Sequence, residues 1–197
     1  MKKSIFFFFL IIIVCVPSLT YGEQPIDVLQ SSIEMGIRIL KSPDYQNADQ
    51  KGAQRQKLCQ TAWQVFDFET FSRLVLASNW RIFTSQQRQE FTDAFARFLC
   101  KYYLTRLQEN YNNEKIIYVG QDLMSDTKAL IKIKVLWRGL EVPAKIRMLM
   151  RNGAWRVYDV NVLGISAALS YREQFRALLL KDSPARVIGL IKDRIKR

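Results

Sequence analysis

"KALIKIKVLWRGLEVPAKIRMLMRNGAWRV" occupies residues Lys128–Val157 and decides the fold class. Its apolar residues recur at every second position: Ala129, Ile131, Ile133, Val135 and Trp137, then Val142, Ala144, Ile146, Met148 and Met150. A period of two belongs to β-strands with one buried face. Arg138-Gly139 and Asn152-Gly153 interrupt the alternation, and Asn-Gly is the strongest short hairpin signal. Two-residue turns there pair Val135 with Val142, Ile131 with Ile146, Met150 with Trp155 and Met148 with Val157. Every pair falls on one face, as a consistent register demands. The stretch reads as an antiparallel meander.

The same register lines up Lys128, Lys132, Lys134, Lys145, Arg147, Arg151 and Arg156 on the opposite face. Like charges close together across strands are destabilising, so the row has two readings. In one, Lys132, Lys134, Lys145, Arg147 and Arg151 face an acidic protein partner or anionic headgroups. In the other they are a solvated outer face, where lysines also guard a sheet against association.

Upstream the period is 3.6. Pro25 is a good first helical residue, and Ile26, Leu29, Ile33, Ile37 and Leu40 predict an amphipathic helix over 25–41. A second helix is predicted over 51–65, with Leu58, Ala62 and Val65 on one face. Thr84 and Gln87 have capping-box spacing and open a long helix over 85–110. A strand is expected at 114–120. Downstream, Ser166 begins a helix reaching about Leu180, and Ser183-Pro184 starts a short one over 184–195. Helices, a meander and helices again describe an α+β domain with its helices on one sheet face. No repeat or linker divides it.

Residues 1–22 form a separate unit. A basic start precedes the unbroken apolar run Ile5–Val16, and Pro17 breaks it before the small residue Gly22. That is the layout of a cleaved secretory signal, and the run is short for a bilayer span. Val14 is too bulky for a lipobox before Cys15. The expected mature chain is a single domain over 23–197. Removing the signal lowers the net charge from +12 to +10, with 28 basic and 18 acidic residues. Such a balance suits anionic membrane surfaces or acidic proteins, and export argues against nucleic acid. Of the cysteines only Cys59 and Cys100 remain. An exported compartment permits one disulfide, and two buried free thiols are the alternative.

The chain has no histidine, which removes the commonest general base and metal ligand. No metal or cofactor is expected. Asp67, between two phenylalanines, and Asp159, on the inner sheet face by the same register, are the candidate buried bases of an enzyme reading. The alternative is that each caps a helix or satisfies backbone donors. Apolar bulk is what the chain has in excess. Met is soft enough to line sites for flexible apolar ligands, yet the same residues also describe a solid core.

Three stretches in this order, "FDFETFSRLVLASNWR" (66–81), "QRQEFTDAFARFLCKYYLTRL" (87–107) and "WRVYDVNVLGISAALSYREQF" (155–175), resemble the MlaC family. These are periplasmic phospholipid-binding proteins of the Mla lipid-transport pathway, also known as toluene-tolerance proteins. The third stretch is the most specific. Ala77 stands where the family pattern leads to glycine, and Leu163 where it leads to an acid. The resemblance implies a nuclear-transport-factor-2-like α+β fold, with helices packed on a curved antiparallel sheet around an apolar cavity. In this reading the lipid-binding wall comprises Leu74, Leu76, Trp80, Phe95, Phe98, Leu99, Tyr102, Ile133, Ile146, Met148, Met150, Trp155 and Val157. The segment Phe66–Trp80 forms part of that wall and its lid. The resemblance further implies a monomeric, non-enzymatic carrier of phospholipid, maintaining outer-membrane lipid asymmetry. Its implied partners are an outer-membrane lipoprotein–porin complex and an inner-membrane ABC transporter complex with its membrane-anchored lipid-binding subunit.

Overall fold

The structure is a computed structural model that describes residues 23–196. The expected signal segment, 1–22, lies outside the described residues. Five strands form one antiparallel sheet in chain order: β1 (Lys115–Ser125), β2 (Lys128–Trp137), β3 (Leu140–Arg151), β4 (Ala154–Val162) and the short β5 (Ile165–Ser166). All four strand pairings expected from the alternation are present. The turns Arg138-Gly139, Asn152-Gly153 and Leu163-Gly164 have positive φ at both residues, the combination that two-residue type I′ hairpins require. Arg138 and Leu163 adopt it without the freedom of glycine.

Two features depart from the expected sheet. β1 continues past 120 to Ser125, through a register shift between Tyr118 and Gly120. A bulge in β4 leaves Tyr158 unpaired, so that Asp159 lies opposite Arg147 and Val160 opposite Ile146. Asp159 is therefore out of the inner-face register that an unbroken strand would give it. Bulges bend the strand that carries them and raise its twist, which curves this sheet.

The helices α1 (Pro25–Lys41), α2 (Lys51–Val65) and α4 (Ser85–Asn110) occupy their predicted ranges, while α5 (Ala167–Leu179) and α6 (Pro184–Lys196) end within a residue of theirs. Local chemistry explains the starts. The Gln87 amide donates to Thr84 Oγ1 at 3.1 Å and the Thr84 amide to Gln87 Oε1 at 3.0 Å, a complete capping box. The Leu169 amide donates to Ser166 Oγ at the head of α5. A further helix, α3 (Phe68–Leu76), was not legible from periodicity. Its N-cap is Asp67, and a 3₁₀ turn over Ala77–Ile82 leads on to α4.

The core has two parts. On the sheet's inner face, Ile131, Met148 and Val157 pack beneath Leu29 of α1. Among the helices, Phe71, Phe91, Phe95 and Phe175 form an aromatic cluster between α3, α4 and α5. Phe66 packs against both. Cys59 and Cys100 form a disulfide with Cα atoms 5.6 Å apart, joining α2 to α4. It settles the open choice between a bridge and free thiols. Cross-linking positions 41 apart stabilises by about 4 kcal/mol on the chain-entropy account.

Candidate functional site: a divided apolar cavity

Where the helices stand away from the sheet they enclose two apolar cavities. The first, about 640 Å³, lies between α1, α2, α4 and the β1–β2 end of the sheet. Ile33, Ile37, Leu40, Leu58, Val65, Leu107 and Val135 line it. The second, about 900 Å³, lies between α3, α4, α5 and the β4–β5 end, lined by Phe66, Phe68, Phe71, Phe98, Leu99, Tyr102, Val160 and Tyr171. Ala62, Tyr103 and Leu104 line both. The wall between them is thus built from α2 and α4, the pair that the disulfide staples.

Polar ties hold this space open. Gln54, almost fully buried, donates to the Ile39 and Leu40 carbonyls at 2.9 and 3.1 Å and accepts from Gln108 Nε2 at 2.8 Å. It thereby joins the end of α1 to α2 and α4. Arg172 donates twice to the Leu74 carbonyl, at 2.9 and 2.8 Å, pinning α5 to α3. Buried and part-buried bonds of this kind are costly to break, which opposes sliding of the helices inward to close the voids. Along α4 the rings of Phe95, Phe98 and Tyr102 stack face to face at 6.4 and 5.8 Å, stiffening the wall of the second cavity.

The wall expected from the sequence divides three ways. Phe98, Leu99 and Tyr102 line the second cavity. Leu74, Leu76, Trp80 and Phe95 pack in or against the helical core, and Arg88 lies over the Trp80 ring at 5.4 Å. Ile133, Ile146, Met148, Met150, Trp155 and Val157 belong to the sheet core. The physical reason is that α1 covers the middle of the inner face, and both cavities lie toward the strand ends. The stretch that was expected as wall and lid is split likewise: Phe66, Phe68 and Phe71 face the second cavity, and Leu74, Val75, Leu76 and Trp80 pack in or against the helical core. Unanticipated wall residues come from α1 and α2, and also include Tyr103, Leu104 and Leu107 of α4, Val135, Val160 and Tyr171. For those on α1 and α2 the signal in the sequence was the α1 stripe past Leu29 and the Leu58, Ala62 and Val65 face of α2.

The basic sheet face also differs from expectation, because it has acids among its cations. Lys132 pairs with Asp122 and Lys134 with Glu141, both at 2.7 Å. Arg147 reaches Asp159 at 3.7 Å, and Arg151 holds Asp67 at 2.9 Å and Glu69 at 2.7 Å. Lys128, Lys145 and Arg156 form no ion pair among the described residues.

Asp67 and Asp159 both serve as caps. Asp67 accepts from the Thr70 amide at 2.9 Å, the Thr70 hydroxyl at 2.8 Å and Arg151 at 2.9 Å. Burial pushes its carboxyl up, but the Thr70 amide, Arg151 and the Thr70 hydroxyl outweigh it and hold the group below its ordinary value. The Asp67 amide donates to the Val157 carbonyl at 2.7 Å, fixing α3 against β4. Asp159 accepts from Ser166 Oγ at 2.8 Å and the Ala168 amide at 3.1 Å at the start of α5. Neither carboxylate lines either cavity.

Comparison with known proteins agrees with this architecture. The chain is 28% identical over 168 residues to the toluene tolerance protein ttg2D of Pseudomonas putida, covering 84% of this chain and 78% of that one. Its fold matches the phospholipid-binding protein of Ralstonia solanacearum, solved in complex with a phospholipid, with a TM-score of 0.72 at 21% identity. That match covers 86% of this chain and 95% of the other. The MlaC protein family model matches residues 30–193, and the chain belongs to the MlaC family.

Proposed function

We propose that this protein is a periplasmic phospholipid carrier, which takes acyl chains into its divided cavity and moves lipid between membrane complexes. The observation that carries the reading is the pair of apolar cavities, about 640 and 900 Å³, kept open by buried polar ties. The phospholipid held by a protein of the same fold supports it. Each acyl methylene removed from water contributes about 0.8 kcal/mol, so affinity is easily reached and release is the difficult step. A carrier of this kind gives up its lipid only where a partner offers an equally apolar path, so transfer is decided by differential binding in each complex.

The finer parts of the proposal have separate supports. The Cys59–Cys100 bridge suits an oxidising compartment, as does the signal-like segment 1–22. Both candidate acids are engaged as helix caps, which favours carriage without a chemical step. Docking to the outer-membrane lipoprotein–porin complex and to the inner-membrane transporter complex would use the basic sheet face. Lys128, Lys145 and Arg156, which form no ion pair among the described residues, are its cations freest to meet an acidic partner. A vesicle assay tests the proposal: mature protein incubated with donor vesicles of fluorescent phospholipid, then separated from them, carries the label away and releases it to acceptor complexes. Label that stays with the donor vesicles would contradict the carrier reading.

A further inference from the structure

A glycerophospholipid carries two chains on one glycerol, and the two cavities share one wall. A lipid with one chain in each must set its glycerol and phosphate on top of that wall. Tyr103 is there, half exposed and in contact with both cavities. Its hydroxyl lies 3.1 Å from that of Tyr171 on α5. Two hydroxyls carry two protons and their mutual bond uses one, so one O–H stays free to donate outward. Burial first, then the bond to Tyr103, push the Tyr171 phenol far above its ordinary range. It therefore stays a neutral donor.

Less than one turn further along α4, Arg106 lies on the wall of the first cavity with its guanidinium 4.0 Å from the Tyr102 ring centroid. It forms no ion pair among the described residues. A guanidinium held against an aromatic face, with no carboxylate to neutralise it, keeps its N–H fork available, and that fork matches phosphate geometry. None of these three polar ends is used by the caps and ties that hold the helices in place.

We propose that Tyr103, Tyr171 and Arg106 form the phosphodiester site of a two-chain lipid that straddles the wall with one chain in each cavity. This rests on the carrier reading above. It makes Tyr103 the residue that positions the lipid and Arg106 the residue that selects a phosphate over an uncharged glycerol.

The test uses the mature chain stripped of lipid, titrated with phosphatidylglycerol and with diacylglycerol bearing the same chains. Their affinity ratio is compared among the wild type, Arg106→Gln, Arg106→Lys and Tyr103→Phe. The wild type should prefer the phospholipid. The ratio should fall about tenfold in Arg106→Gln, as for loss of one hydrogen bond to a charged group, and recover in part with Arg106→Lys. Tyr103→Phe keeps the ring on both walls and should also lower the ratio, so its effect is not loss of the cavity. Equal ratios in all four proteins overturn the phosphodiester site and leave the carrier standing. If the wild type takes up neither ligand, the carrier reading itself falls.

Discussion

Placing one negative charge at two different apolar positions separates hollow from solid. Met148 is 0% exposed in the middle of the sheet core. Leu104 is partly exposed and lies on the wall of both cavities. Met148→Glu forfeits about 2 kcal/mol of side-chain burial and adds the cost of an unpaired carboxylate with no room for water, several kcal/mol more. Against a typical total of about 5–15 kcal/mol that removes most of the stability. At Leu104 the arithmetic differs. A cavity of 640 Å³ holds on the order of twenty waters at about 30 Å³ each, so the carboxylate stays hydrated and Leu104→Glu costs about 1–2 kcal/mol. The lipid suffers instead. Excluding about four methylenes from the wall forfeits about 3 kcal/mol, or about a hundredfold in affinity. Thermal melts and lipid titrations of both variants beside the parent give the comparison. A Leu104→Glu protein that collapses as Met148→Glu does would mean the space is filled. A folded Leu104→Glu protein that binds lipid as tightly as the parent would mean the chains lie elsewhere.

Replacing both Cys59 and Cys100 by serine should lower stability by about 4 kcal/mol in denaturant titrations, and an unchanged midpoint would remove the staple from the account. Ala77 has φ 48° and ψ −122°, a conformation that glycine adopts freely. Ala77→Gly should therefore relieve about 1–2 kcal/mol of strain, less glycine's larger unfolded-state entropy, for a net gain of about 0.5–1 kcal/mol in stability; a lower melting point would contradict this. The Asp67 carboxyl is held below its ordinary value, so its contribution is complete above about pH 4 and is lost as pH falls further, through the folded value. Asp67→Asn should flatten that acid limb in denaturation curves below about pH 4, and an identical limb would assign the acid sensitivity to other groups.

The meander was legible because a period of two and an Asn-Gly turn are local signals, and local geometry settles them. The same holds for Thr84, Gln87 and Ser166, whose capping partners lie within three residues. The bulge at Tyr158 was not legible, since one extra residue left the apparent alternation through Trp155, Val157 and Asp159 undisturbed. Nor were the ion pairs of the basic face: Arg151 meets acids more than eighty positions earlier in the chain. The cavity wall was the hardest feature to read. Apolar stripes show which faces turn inward, not whether atoms fill the space they face. Phe95 and Phe98 are three residues apart on one helix, yet one is solid core and the other lines a void. A small residue such as Ala62 opens space by its lack of bulk, and its place on the face of Leu58 and Val65 does not distinguish that from close packing.

The most direct test of the central claim is organic extraction of the purified mature protein followed by mass spectrometry, with protein measured in the same sample. The account predicts diacyl phospholipid at close to one molecule per chain, retained through purification and lost from Leu104→Glu. A parent protein that yields no lipid, and takes none up from vesicles afterwards, would contradict it.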